Sequence, residues 1–78
     1  MAETRLNLRR QKCPLPVLRT RKALLGAAAG DVLIVECTDP MVQIDIPALI
    51  RQTGDVLEHL QVEAGTAIFR IRKAGAAP

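Results

Sequence analysis

Residues 30–40 read Gly-Asp-Val-Leu-Ile-Val-Glu-Cys-Thr-Asp-Pro, and the architecture of the chain turns on them. Asp31 to Cys37 is rich in β-branched residues and bounded by Gly30 on one side and Thr38-Asp39-Pro40 on the other, the marks of a buried strand. With a period of two, Leu33, Val35 and Cys37 share one face. On either side of this run the pattern turns helical. Upstream, residues 14 to about 25 are good helix formers, and Val17, Leu18, Leu24, Leu25 and Ala28 fall in one sector of a 3.6-residue wheel, with Gly26 or Gly30 as the stop. Arg21 projects into the middle of that sector. It either snorkels at the rim with its stem packed or is held there to meet an anion.

Downstream, Thr38 or Asp39 caps a second helix with Pro40 in its first turn. Asp45-Ile46-Pro47 interrupts it, because Pro47 has no N–H for the carbonyl of Gln43. The expectation is a kink, or a restart with Asp45 as a second cap. Ile46, Leu49, Ile50 and Thr53 form the buried stripe and Gly54 closes the helix. A strand precedes the first helix, since residues 4–9 alternate with Leu6 and Leu8 facing one way and Arg5, Asn7 and Arg9 the other. Two more alternating runs, 56–63 and 67–73, flank Ala64-Gly65-Thr66 as a hairpin. Phe69 and Ile71 point to the core there, with Arg70 and Arg72 outward. In the first run Val56, Leu60 and Val62 oppose Leu57, His59 and Gln61, which leaves His59 in solvent.

The order is therefore βαβαββ. A βαβ unit pairs its strands in parallel and a hairpin pairs them antiparallel. The expected fold is α+β, a two-layer α/β sandwich with a four-stranded mixed sheet and two helices on one face. Residues 1–73 form a single domain, and 74–78, with nothing to pack, a disordered tail. At 78 residues the chain allows one small core. It has no apolar run long enough to span a bilayer and no secretion signal, so the cytoplasm is the expected compartment and both cysteines are expected reduced.

Cys13-Pro14-Leu15-Pro16 carries the chemistry. With Cys13 as N-cap, Pro14 takes the first helical position, where its missing N–H costs nothing. The N–H groups left in the first turn and the positive end of the helix dipole favour a thiolate over a thiol. The net charge is only +3, but Arg5, Arg9, Arg10, Lys12, Arg19, Arg21 and Lys22 gather in the first third. They add a basic field around Cys13 suited to an anionic partner.

Other chemistries fall away. A Cys-x-x-Cys pair is excluded because Pro16 takes the second cysteine's place. Cys37 sits on an apolar strand as a small core hydrophobe. Cys13, Cys37 and His59 have no metal-ligand spacing, and no glycine-rich phosphate loop is present. A thiolate without an internal base, resolving thiol, metal or cofactor is left to accept a group and hand it on. Persulfide exchange suits it.

At these residues the chain resembles the TusA/SirA family of small sulfur-carrier proteins. The resemblance spans nearly the whole length: Leu6 and Leu8, the Cys13-Pro14-Leu15-Pro16 signature, Arg21-Lys22, Gly30-Asp31, Thr38-Asp39-Pro40, Asp45-Ile46-Pro47 and Phe69-Arg70-Ile71-Arg72-Lys73. It implies a two-layer sandwich whose Cys13 carries sulfur as a transient persulfide, a sulfurtransferase-like carrier rather than a stand-alone turnover enzyme. It also implies a cysteine desulfurase or other sulfur donor and a downstream acceptor protein, in tRNA thiolation, sulfur oxidation or a selenium-linked pathway. Arg21 matches a basic residue associated in the family with docking to the desulfurase, and Arg9, Arg10, Lys12 and Lys22 extend the candidate docking set. Asn7 stands where aspartate is frequent, Arg10 where glycine is usual and Leu15 where the best-known member has glutamate. The competing readings are a basic nucleic-acid-binding module and a redox-sensing interaction domain. With no Trp or Tyr and one Phe, direct nucleic-acid binding lacks its usual stacking platform.

Overall fold

The computed structural model describes residues 3–12 and 15–74. Its elements run β1 (Glu3–Leu8), α1 (Leu15–Gly26), β2 (Val32–Cys37), α2 (Val42–Thr53), β3 (Val56–Glu63) and β4 (Thr66–Arg72). The sheet order is β1-β2-β4-β3, with β1 parallel to β2 and both pairs that involve β4 antiparallel. The expected α+β sandwich is the fold observed. Parallel pairing in the register Leu8↔Cys37 ends β1 and β2 at the same edge of the sheet, so both helices begin there.

One face of the sheet and the inner faces of the helices make the core. Val35, Cys37, Val42, Ile46, Phe69 and Ile71 are each fully buried, and burying a phenyl ring alone removes about 150–250 Å² from water. Helix α2 buries Ile46, Leu49 and Ile50 as its spacing predicts. Pro47 lies inside a continuous helix, so the restart at Asp45 does not occur. Asp39 Oδ1 accepts the Met41 N–H at 2.9 Å and so caps the turn that leads into α2. Gly54 ends the helix at φ 79°, in the left-handed region, with its N–H on the Ile50 carbonyl.

Two faces differ from the sequence reading. On α1 the buried residues are Pro16, Thr20 and Leu24, while Leu18 and Leu25 are 54% and 71% exposed and Ala28 is exposed as well. The inward face is turned by roughly one residue, about 100°, from the apolar sector. The cause is chemical disguise. Proline and threonine do not score as core residues, yet the Thr20 hydroxyl donates to the Pro16 carbonyl at 2.7 Å and is satisfied where it is buried.

On β3 a bulge between Leu57 and His59 leaves Glu58 without a partner in the ladder. Leu57 consequently opposes Ile71 and packs against the core, and Val56, opposite Arg72, moves to the other face. His59 is exposed, as expected. The bulge aims Glu58 at two arginines, accepting from Arg72 Nε at 3.0 Å and Arg70 Nε at 3.2 Å. Those hydrogen bonds, that of Arg72 foremost, hold its carboxyl below the usual carboxylate range.

Arg70 also reaches Glu3 at 3.5 Å, and Arg5 faces Glu36 at 3.8 Å. The helix-free face of the sheet thus carries a charged roof, and Val32 and Ile34 beneath it are only 6% and 7% exposed. The arginine stems supply apolar cover there, while the exposed ion pairs themselves are screened and contribute little. At the far end, Lys73 extends the pairing with Asp31 and Gly30, and the Ala74 N–H is held by Asp55 Oδ1 at 2.9 Å. Ala74 opens the stretch read as a tail; residues 75–78 lie outside the described residues. No helix among the described residues is long and apolar enough to cross a membrane.

The β3–β4 hairpin turns on Ala64 and Gly65, both at positive φ, 50° and 79°. Both central residues of a type I′ turn require that region, and alanine visits it at a cost. An Ala64→Asn variant is expected to raise the unfolding free energy by about 0.5–1 kcal/mol. Urea denaturation checks it through a higher midpoint at unchanged slope.

Candidate functional site

Cys13 and Pro14 lie outside the described residues, so the site is built from what brackets them. The chain leaves β1 at Leu8 and turns at once, with the Gln11 N–H on the Leu8 carbonyl at 3.2 Å. Arg10, third residue of that turn, has φ 76°. A type II turn requires positive φ at this position and is usually met by glycine. Arginine there adds strain of about 1–2 kcal/mol.

The strained residue is tied down across the sheet edge. Its N–H donates to Thr38 Oγ1 at 3.1 Å, joining the loop that leads to Cys13 to the loop that leads to α2. Asn7 supports the same loop, its Oδ1 accepting from both the backbone N–H and Nε of Arg9 at 3.2 and 3.1 Å. Arg9, Arg10 and Lys12 are exposed around it. Two shallow cavities open between the loops, one of about 320 Å³ lined by Arg10, Gln11, Lys12, Thr38, Asp39 and Pro40, the other of about 570 Å³ by Asn7, Arg9, Arg10 and Thr38. Thr38 was read from the sequence as a helix cap alone. Its role as the anchor of the cysteine loop is a contact across 28 residues, with no local signal.

Beyond the loop, the Leu15 N–H donates to the Lys12 carbonyl at 2.9 Å and α1 begins. Leu15 is exposed and Pro16 is buried. The first turns of both helices lie at this edge and carry the exposed side chains of Leu15, Leu18, Met41 and Ile44, an apolar rim set among the basic residues. Arg21 is exposed and lines a groove between the helices with Val17, Leu18, Asp45, Ala48, Leu49 and Gln52. Its neighbour Lys22 lines a different groove, between α1 and β1. The sequence pair Arg21-Lys22 is thereby split across the two flanks of α1, with Arg9, Arg10 and Lys12 at its head.

Cys37 is fully buried at the end of β2. Desolvation, and secondarily the negative charge of Asp39, push its thiol up from 9.0 to about 11. A protonated, sealed thiol neither attacks nor is attacked. It acts as the small core hydrophobe read from the sequence. His59 sits on β3 and Cys37 ends β2, with β4 between the two strands.

A family model described as "Sulfurtransferase TusA" matches residues 4–73. The sulfur carrier protein TusA of Allochromatium vinosum is 42% identical over 62 residues, covering 80% of this chain and 82% of that one. A putative sulfur carrier protein of Neisseria meningitidis serogroup A is 54% identical over 46 residues, 59% of this chain and 62% of its own length. Among solved structures, that of a SirA-like protein from Desulfitobacterium hafniense superposes with a TM-score of 0.79 at 25% identity, covering 91% of this chain and 97% of that one.

Two measurements check the site. Arg10→Gly relieves about 1–2 kcal/mol of strain against roughly 0.5–1 kcal/mol of added unfolded-state entropy, so a net gain of about 0.5 kcal/mol is expected from chemical denaturation. For Cys37, the fold favours the protonated thiol. The stability it contributes is complete below pH 9.0 and is lost as the pH climbs to about 11. The denaturation midpoint is expected to fall across that window, and Cys37→Ala to flatten the fall.

Proposed function

Since this chain belongs to the TusA/SirA family of small sulfur carriers, we propose that it carries sulfur as a persulfide on Cys13 and passes it between a donor and an acceptor protein. The observation that carries the proposal is the inequality of the two thiols. The chain has two cysteines, and Cys37 is sealed in the core and held protonated. Exchange chemistry falls to Cys13.

The transfer needs no redox partner. The Cys13 thiolate attacks the terminal, sulfane sulfur of a donor persulfide; a sulfur–sulfur bond forms to Cys13, the donor's own sulfur–sulfur bond breaks, and the donor leaves as a thiolate. In the second half an acceptor thiolate attacks that terminal sulfur and Cys13 leaves as a thiolate. Both halves depend on Cys13 being ionised. The start of α1 and the charges of Arg9, Arg10 and Lys12 favour the anion.

The donor of best fit is a pyridoxal-phosphate cysteine desulfurase, acting in a reducing compartment such as the cytoplasm, where thiols persist. Partners dock on the rim of Leu15, Leu18, Met41 and Ile44, with Arg9, Arg10, Lys12 and Arg21 meeting acidic residues and Lys22 extending the field along the flank of α1. Apolar contacts hold a partner and charges orient it, the division usual at transient interfaces. Residues 1–73 act as one unit, a reading supported by the pairing of the last strand, β4, with the central strand β2. A nucleic-acid role gains no support, because Phe69, the single aromatic residue, is buried and offers no stacking platform.

Incubation with a cysteine desulfurase and free cysteine, followed by intact mass measurement, is expected to add one sulfur to the wild type and to Cys37→Ser but none to Cys13→Ser. A wild type that gains no sulfur from several donors overturns the proposal.

A further inference from the structure

The two edges of the sheet are guarded unequally. Edge strands expose unpaired N–H and C=O groups and are commonly blunted by bulges, prolines or charge. β3 has its bulge at Glu58, pinned by Arg70 and Arg72. β1 has neither bulge nor proline, pairs with β2 in unbroken register over six residues, and has no partner on its outer side among the described residues.

Beside that open edge lies a groove of about 470 Å³ between β1 and α1. Its lining is largely apolar, with Leu6 and Leu8 from β1, and carries two cations, Arg19 and Lys22, against one acid, Asp31, whose Oδ2 already accepts the Ala28 N–H at 3.0 Å. Gly26 lines the groove at the end of α1, where a side chain would have open space, since a methyl group built there would meet no atom within 4 Å. The groove lies on the side of the sheet toward which Leu6 and Leu8 point, so a strand added to β1 would lay every second side chain into it.

We propose that β1 and this groove form a second docking surface, which takes an extended polypeptide segment with apolar residues and a carboxylate on its inward face. The new strand hydrogen-bonds to the outer edge of β1, its apolar side chains cover Leu6 and Leu8, and its carboxylate meets Arg19 and Lys22. Charge selects a foreign partner over a second copy of this chain. Two copies joined through β1 would bring their Arg19 and Lys22 pairs toward one shared seam, and like charges across an interface oppose association. The surface runs along β1 and the flank of α1 and shares only Lys22 with the docking set above, so it gives a carrier a second hold on a partner that is not the reacting thiol.

The test is an amide-resolved NMR titration of the full chain with a capped heptapeptide, Val-Thr-Leu-Thr-Glu-Thr-Val, at up to millimolar concentration. Shift changes and slowed amide exchange in Glu3–Leu8 are expected. Replacing the peptide's Glu by Lys, or making the double variant Arg19→Glu/Lys22→Glu, is expected to weaken binding by roughly tenfold or more. Gly26→Phe is expected to block the groove while leaving sulfur loading on Cys13 unchanged, which separates this surface from the carrier function. A peptide N-methylated along its backbone is expected not to bind. Equal binding of that peptide, or of octanoate, would assign the groove to a small anionic amphiphile and overturn strand addition. Shifts confined to the helix starts, shifts that grow with protein concentration alone, or no shifts at all would overturn it too.

Discussion

The parallel pairing of β1 with β2 is the constraint from which the rest follows. Because Leu8 stands opposite Cys37, the two strands end together and their outgoing loops emerge side by side. The hydrogen bond from the Arg10 N–H to Thr38 Oγ1 is possible only in that register. A slip of one residue would turn Leu6 and Leu8 from the core to the charged face and separate the loops. The same register sets both helix starts at one edge, which concentrates partial positive charge, basic side chains and exposed apolar residues there.

Much of this was legible in the sequence, and what escaped has identifiable causes. Strand β2 announced itself by β-branched density between a glycine and a proline, and the Ala64-Gly65 turn by its place between alternating runs. The inward face of α1 was misjudged by about one residue because it is built from Pro16 and Thr20, which no apolar pattern counts. Leu57 and Val56 exchanged faces because a bulge shifts the period of two, and nothing local marks Glu58 as the extra residue. Its cause is tertiary, two arginines on β4 that close on its carboxylate. The signature around Cys13 is what the sequence offers for a site, whereas the Thr38 anchor of the adjoining loop depends on a contact no local window contains.

The basic first third of the chain looked like one field and, with Arg5 set apart against Glu36 on the helix-free face, is in fact three. Arg9, Arg10 and Lys12 crown the loop, Arg21 faces α2, and Arg19 with Lys22 overlooks the edge of β1. A helix turns about 100° per residue, so neighbours such as Arg21 and Lys22 serve opposite flanks. The acids are placed with equal economy. Glu3, Glu36 and Glu58 are engaged by arginines on the helix-free face, while Asp39 lines a cavity with Arg10 and Lys12, and Asp45 one with Arg21.

Arg10 gives the loop a further property. A residue held at φ 76° by one hydrogen bond and a tight turn narrows the gap between the resting loop and any rearranged one that lets its backbone relax. Recovering about 1 kcal/mol on rearrangement multiplies the population of the alternative roughly fivefold over what a glycine at the same place would allow. The segment that leads to Cys13 is in this sense sprung, and a rearranged form of it is reached at lower cost.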